Sequence, residues 1–464
     1  THQLYGGDWE NRLKQELLLG IGGVRALRTL GLNPTIYHYN EGHAAFAGLE
    51  RLRECMQQGH LSFDESMELI RASGLFTTHT PVPAGHDAFS EELMGKYLGY
   101  YPQSIGIDWR TFMSLGKNDP DNHEDKFSMS SLAANMSQNV NGVSMLHGKV
   151  SQDIFAGMYP GYLPEELYIS YVTNGVHYPT WASRNWKEVH SKVFGEEFKT
   201  HHYDKSCFEG IYQVADSTVW DTRKFLKGEL IKAIRERLSD PALSAHYTPR
   251  QIVTIKETLR DDVLTIGFAR RFATYKRATL LFSDLDRLDA MVNNPKRPVQ
   301  FIFAGKAHPA DTAGQDLIKQ IIDISKQDRF LGKIVFIPGY EITLAKRMVQ
   351  GVDVWLNNPT RPLEASGTSG EKAAMNGVMH FSVLDGWWVE GYKEGAGWAL
   401  PLEKTYDDPN YQNELDSATI YATIENEIAP DYYDVDAKSG LPVKWIGYIK
   451  TTIATVACDF TTNR

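Results

Sequence analysis

Four cations fall within the eight residues Arg270-Arg271-Phe272-Ala273-Thr274-Tyr275-Lys276-Arg277, in a chain that is acidic as a whole. Arginine offers a planar fork that matches phosphate oxygens, and lysine a mobile point charge. The stretch follows an apolar run, which places it at a strand end, where it reads as an anion pocket. The alternative is a solvated, basic helix start. Cations at a helix N-terminus oppose the macrodipole unless an anion sits among them, which favours the pocket.

A second polar stretch also follows an apolar run. Asn357-Asn358-Pro359-Thr360-Arg361-Pro362-Leu363-Glu364 leads into Ala365-Ser366-Gly367-Thr368-Ser369-Gly370-Glu371-Lys372-Ala373-Ala374-Met375-Asn376-Gly377. Small and hydroxylated residues ahead of a helix can present N–H groups and hydroxyls to an anion, with Lys372 about one turn inside. A helix capped by Ser or Thr, stopped at Gly377 and carrying a solvated lysine fits the same residues. It is not a Walker A loop, in which the lysine directly follows Gly and precedes Ser or Thr.

His38-Tyr39-Asn40-Glu41-Gly42-His43 lacks the His-Glu-x-x-His spacing of a zinc site, and no metal is expected there. Glu41 and His43, at a strand-to-helix corner, suit polar substrate contacts better, and His79 ends another strand in a similar position. Gly20-Ile21-Gly22-Gly23 superficially suggests a dinucleotide loop. Arg25 stands where the third glycine belongs and a helix precedes, so these glycines are read as allowing close helix packing.

The elements that must position these residues differ between the two parts of the chain. In the first third, helical spacing predicts a helix over 8–30 and another over 42–57, with strands at 34–39 and 75–79. Thr80-Pro81-Val82-Pro83-Ala84-Gly85-His86 then forces a loop. A turn-rich excursion over 109–123, a long helix over 130–147 and a strand at 168–173 follow. The pattern is helical and charged from there to about residue 261. Beyond it, short apolar runs at 263–268, 299–304, 333–337, 352–356 and 378–383 alternate with helical stretches near 276–292, 315–326, 342–349 and 369–376. Such alternation indicates an α/β domain with a doubly wound parallel sheet, which binds ligands outside the carboxyl ends of its strands.

Composition narrows the classes. A chain of 464 residues suggests two or three domains at roughly 100–200 residues each. With 20 Phe, 10 Trp and 23 Tyr, disorder is excluded as the main state. The 48 basic and 58 acidic residues argue against general nucleic-acid binding, which needs a basic face. No apolar run approaches the ~20 residues of a membrane span. Thr1-His2-Gln3-Leu4-Tyr5-Gly6-Gly7-Asp8 does not read as a signal peptide. Cys55, Cys207 and Cys458, odd in number and far apart, suggest no disulfide framework, and a cytoplasmic location is expected.

Taken in order, the blocks RLKQELLLGIGG, YHYNEGHAAF, FTTHTPVPAGHDAF, VNGVSMLHGKVSQ, YVTNGVHYPTW, GFARRFATYKRATL, EASGTSGEKAAMNG and LDGWWVEGY resemble the α-glucan (glycogen, starch or maltodextrin) phosphorylases, nearest to the shorter bacterial type. That resemblance implies a GT-B fold of two Rossmann-like domains, here 1–173 (incomplete, glucan-binding) and 174–464. It also implies the cofactor pyridoxal 5′-phosphate. Lys372 matches the lysine that holds the cofactor as a Schiff base. Arg271 and Lys276 match the pair that grips the phosphates, and Arg270, Thr368, Tyr340 and Trp181 match cofactor-pocket positions. Glu364, Ser366, Gly367, Asn174 and His79 match residues that hold the glucosyl unit, with Glu41 and His43 near the substrate.

The implied reaction is reversible phosphorolysis of α-1,4-glucan ends to α-glucose 1-phosphate with retention. The partners are glucan and inorganic phosphate, and a homodimer is expected because family members are dimers as a rule. The family's glycine-rich first-domain loop and last helix have no counterpart, so a chain shortened at both ends is expected. Glu371 stands where an apolar Met is usual. Two other readings are carried: a nucleotide-sugar-dependent GT-B glucosyltransferase, and an inactive glucan-binding fragment.

Overall fold

The computed structural model describes residues 8–82, 85–119, 122, 124–309, 311–400 and 405–462. The first seven residues, Pro83 and Ala84 of the proline loop, His123 and the final Asn463-Arg464 lie outside the described residues. Two compact units divide the chain, 1–173 and 174–464. No helix of the described residues is long and apolar enough to cross a membrane.

The first unit is built on strands β1 (Tyr37–Asn40), β2 (Gly74–Thr77), β5 (Asn139–Gly142) and β6 (Ile169–Tyr171), which pair in parallel in that order. A short antiparallel pair, β3 (Ala88–Phe89) with β4 (Phe127–Ser128), lies between them in the chain. Register sets Asn40 opposite Thr77 and Thr77 opposite Asn141, so polar groups gather at the carboxyl ends of the strands. There Thr77 Oγ1 donates to Asn141 Oδ1 at 3.0 Å and contacts His38 Nε2 at 2.8 Å.

Three expectations for this unit change. The helix expected over 130–147 is instead a helix Met129–Asn135, strand β5 and a helix Met145–Phe155. Asn139-Val140-Asn141-Gly142 is polar enough to pass as helix surface, yet it pairs on both sides. Ser144 then starts the next helix by accepting from the His147 N–H. The excursion expected over 109–123 opens with a helix, Trp109–Ser114, capped by Asp108. The helix over 8–30 is Trp9–Leu17 and Gly23–Thr29 joined by a π turn, Leu18–Gly22. A Cβ on Gly20 would stand 2.7 Å from both Ala47 N and Phe46 Cβ, so that glycine serves close packing.

The second unit contains β7 (Leu264–Arg271), β8 (Val299–Lys306), β9 (Ile334–Ile337), β10 (Val354–Asn357), β11 (Met379–Val383) and β12 (Gly397–Leu400). Their spatial order is β12-β11-β10-β7-β8-β9, the strand order of dinucleotide-binding sheets, and every pairing is parallel. The direction of winding reverses between β7 and β10, where a crevice opens at the carboxyl ends. Strand side chains alternate between two apolar layers: Phe301 and Phe303 pack into one, Ile302 and Ala304 into the other. At the amino end of the same junction, buried Asp353 accepts from the Thr265 N–H at 2.8 Å and pairs with Lys227 Nζ at 2.5 Å.

Here too the sequence reading needs correction. β12 is a sixth strand where five were expected; Gly397-Trp398-Ala399-Leu400 is short and at the sheet edge, without a β-branched residue. The helix expected from Lys276 begins only at Leu285, after two 3-10 turns, Thr274–Lys276 and Leu280–Phe282. The macrodipole argument for the cation cluster therefore loses its helix.

Candidate active site

At the end of β7, adjacent residues point to opposite faces, so Arg270 is buried at 8% exposure while Arg271 is exposed. Arg270 Nη2 donates to Glu364 Oε2 at 2.7 Å, and Lys276 Nζ donates to the same oxygen at 2.8 Å and to Oε1 at 3.1 Å. The Lys276 ammonium also lies 4.7 Å from the centre of the Tyr275 ring. Burial and then the Arg270 charge bring Lys276 down to about 8, against the pull of Glu364. Burial raises Glu364, but Arg270 and Lys276 more than offset it and hold the carboxyl below its ordinary value.

The backbone of Glu364 is fixed in turn, its N–H donating to Asp385 Oδ2 at 2.9 Å. Asp385 is itself buried, which pushes its carboxyl up to about 7. The fourth cation of the cluster has another role. Arg277 adopts φ 48°, donates to the carbonyls of Asn358 and Pro359, and pairs with Asp416 at 2.6 Å. It fastens the loop after β10 rather than facing an anion.

That loop turns into the helix Thr368–Ala374 through Gly367 at φ 87°, a left-handed conformation suited to glycine. The expected Ser or Thr cap is absent: no side chain caps this helix, Ser369 Oγ accepts from Trp355 Nε1 at 3.1 Å, and Ser366 Oγ is buried without a partner. Gly377, at φ 66°, follows the helix end as expected. Lys372 extends from the helix, its Nζ 4.2 Å from the centre of the Trp181 ring, and burial lowers its pKa. The Trp181 backbone is held by Asn376 Nδ2 at 3.0 Å. Thr368 is the first residue of the helix, and Tyr340 stands where the Arg270 charge acts on its hydroxyl.

Asn174 begins the second unit beside Gly175, which packs on Thr461; no hydrogen bond described for it reaches Glu364 or Lys372. Residues to which the sequence assigned no role complete the surroundings. Asp385 and Trp387 lie in the LDGWWVEGY block, and His380 on β11 is buried and pushed down to about 3, hence neutral. Trp387 Nε1, Arg270 Nε and Arg270 Nη1 are buried donors without a partner among the described residues. Two unmatched nitrogens of the Arg270 guanidinium, on a residue that shares Glu364 with Lys276, suit a phosphate group.

In the first unit, Glu41 sits at φ 63° and its carboxylate accepts from the His79 N–H and, at 3.2 Å, from Thr80 Oγ1. Burial lowers His79, and its Nε2 has no partner among the described residues. His43 is not drawn to Glu41. It lies 3.2 Å from both Glu16 and Asp87, which with the Asp87 contribution first raise it to about 9, and Arg12 Nη2 lies 2.7 Å from its ring. Ligand atoms of Glu16, His43 and Asp87 come within 4.8 Å of one another, as a metal site would require, but the Arg12 guanidinium already supplies the cation. Two further histidines, His86 and His147, lie in the quoted sequence blocks FTTHTPVPAGHDAF and VNGVSMLHGKVSQ but are given no role there. Each has a buried Nε2 without a partner, and Glu41 acts on both.

The sequence pattern of the family described as Carbohydrate phosphorylase matches residues 31–397. The chain is 39% identical over 467 residues to the glycogen phosphorylase of Mycobacterium tuberculosis, covering 98% of this chain and 53% of that protein. To the maltodextrin phosphorylase of Thermococcus litoralis it is 40% identical, covering 99% and 53%. To the glycogen phosphorylase of Aquifex aeolicus it is 38% identical, covering 100% and 66%. The chain thus spans about half the length of the first two relatives.

Proposed function

Because the chain belongs to the carbohydrate phosphorylase family, we propose that it carries the catalytic machinery for reversible phosphorolysis of α-1,4-glucan ends, giving α-glucose 1-phosphate. The observation that carries this reading is the convergence of Arg270 and Lys276 on Glu364 at the sheet reversal, with the Lys372 helix beginning four residues after Glu364. Lys372 is the residue that would hold pyridoxal 5′-phosphate, with Arg270, Thr368, Tyr340 and Trp181 around it. When bound, that cofactor supplies a phosphate that exchanges a proton with the substrate phosphate.

The chain's own residues have distinct tasks in this reading. Two phosphates in one pocket repel strongly, and Arg270 and Lys276 offset that charge at positions already fixed before substrate arrives. Arg271, on the exposed face, reaches for the substrate phosphate from the solvent side. Glu364 keeps the cations from repelling one another in the free site and accepts glucosyl hydroxyls in the loaded one, with Ser366, Gly367 and Asn174 as further sugar contacts. In the first unit, Glu41 orients the backbone at His79, whose free Nε2 suits a sugar hydroxyl; His43 acts only through its acidic neighbours.

The test is release of glucose 1-phosphate from maltodextrin and inorganic phosphate by the cofactor-loaded chain. Borohydride reduction should leave the cofactor on the Lys372 peptide. An unmodified Lys372 in loaded protein would remove the basis of this reading.

A further inference from the structure

Asn376 follows the end of the Lys372 helix, and its side chain is fully buried. Its own N–H turns back to the Ala373 carbonyl at 2.9 Å, so it does not serve the Lys372 carbonyl four residues earlier. The side chain does that instead. Asn376 Nδ2 donates to the Lys372 carbonyl at 2.9 Å and to the Trp181 carbonyl at 3.0 Å. Oδ1 accepts from the Ser183 N–H at 2.8 Å. Two donors and an acceptor are thus engaged at once, and a carboxamide is the side chain that offers this set. The main-chain carbonyl of Asn376 also accepts from Trp186 Nε1 at 2.8 Å, a little further along the same segment.

That segment carries the Trp181 ring, whose centre lies 4.2 Å from Lys372 Nζ. Trp181 ends a single helical turn, Tyr178–Trp181, which is too short to fix a ring by itself. Its carbonyl is reached by one other side chain described, Gln350 Nε2 at 3.3 Å. The ring stands where water would otherwise solvate the ammonium. Burial lowers Lys372 against the pull of Glu371, and an amine that is partly neutral is the form that attacks an aldehyde.

We propose that Asn376 is a positioning residue for Lys372: its carboxamide clamps Trp181 to the helix that bears the lysine and so keeps the ring seated over the amine. The clamp rests on the hydrogen bonds; its purpose, readying the amine for the cofactor, rests on the phosphorylase reading above.

The cofactor-free chain is the material for the test. Trace labelling with acetic anhydride across a pH series, read by mass spectrometry of the Lys372 peptide, gives the midpoint at which this amine becomes reactive. The wild-type midpoint should lie below the ordinary 10.5. Asn376→Ala should raise it, slowing the labelling of Lys372 near pH 8 by about threefold or more, and Trp181→Ala should do the same. Adding Asn376→Ala to Trp181→Ala should raise it no further, because the carboxamide acts through the ring. Asn376→Leu, neutral and closer in shape, carries the same expectation where the alanine variant fails to fold. Trp186→Phe controls for loosened packing: it loses the bond to the Asn376 carbonyl and should lower the melting temperature without moving the midpoint.

A wild-type midpoint in a folded Asn376 variant overturns the proposal, as does one in Trp181→Ala. An equal rise in Trp186→Phe would assign the effect to general loosening and overturn it too. Midpoints that move as expected, without glucose 1-phosphate release by the cofactor-loaded wild type, would leave the clamp standing and remove the phosphorylase reading instead.

Discussion

Lys276 Nζ stands 2.8 Å from Glu364 Oε2, and both side chains are largely shut off from solvent. The carboxylate that the family resemblance assigns to sugar thus serves first as counter-ion to the lysine assigned to phosphate. One residue's protonation must then depend on the other.

Replacing Lys276 with Ala should lower glucose 1-phosphate release by about a thousandfold or more, in line with loss of a charge aimed at a transition state. In the wild type, kcat/KM for phosphate should decline as pH rises through about 8, where Lys276 loses its proton. Glu364→Gln removes the group that favours the charged lysine, so the decline should begin at lower pH. The free-enzyme pH profile checks this; an identical midpoint in the variant would show that the two groups do not titrate together.

Asp385 titrates in the opposite sense. Its folded value, about 7, lies above the ordinary 3.8 because of burial, so the folded protein binds this proton more tightly than the unfolded chain does. The resulting stability is complete below about pH 4 and is lost as pH rises through about 7. Asp385→Asn keeps an acceptor for the Glu364 N–H yet cannot ionise. It should be more stable than the wild type near pH 8, by up to about 4 kcal/mol, and lose that advantage near pH 4. Urea midpoints at the two pH values decide it. A variant less stable at both would mean that the aspartate ionises without penalty.

Much of this arrangement was readable from residue order, and the parts that were not have physical reasons. Five strands of the second sheet are buried on both faces and so appear as short, mostly apolar runs, as at Val299-Gln300-Phe301-Ile302-Phe303-Ala304. β5 escaped because its residues are polar and its partners distant in sequence. Arg277 looked like its neighbours in the cation cluster; only the positive φ and the contact with Asp416 separate it from them. Lys372, Lys276 and Glu364 were legible through ordered motifs. Asp385, His86 and His147 lie in those motifs too, but their roles were not legible, because each matters through tertiary neighbours that no local spacing records.

The buried pair Lys227–Asp353 ties the long helix Asp216–Arg237 to the amino end of β10. Lys227 also donates to Tyr432 Oη at 2.6 Å and to the Val263 carbonyl at 3.1 Å. Asp353→Ala leaves this ammonium without a counter-charge and should cost about 3–5 kcal/mol of stability. The double variant Lys227→Met, Asp353→Leu should recover much of that loss, since no buried charge then remains unpaired. Chemical denaturation of the two singles and the double measures the coupling. Additive losses would show that the pair contributes no interaction of its own.

Gly370 tests how closely the Lys372 helix is seated. A Cβ there would stand 2.7 Å from His380 Cε1, 2.8 Å from His380 Nδ1 and 2.8 Å from Trp387 Cζ2, and both rings are buried. Alanine favours a helix over glycine by about 1 kcal/mol, whereas overpacking a dense interior costs about 1–3 kcal/mol. The clash should therefore dominate, because neither ring has room to withdraw. The helix must then shift, and Lys372, two residues further on, shifts with it. Gly370→Ala should lower the melting temperature and reduce cofactor uptake, read from the absorbance of the bound chromophore, while Gly447→Ala, where an added Cβ meets nothing within 4 Å, keeps normal uptake. Full uptake with an unchanged melting temperature in Gly370→Ala would show that the helix tolerates displacement and that close seating on His380 does not position Lys372.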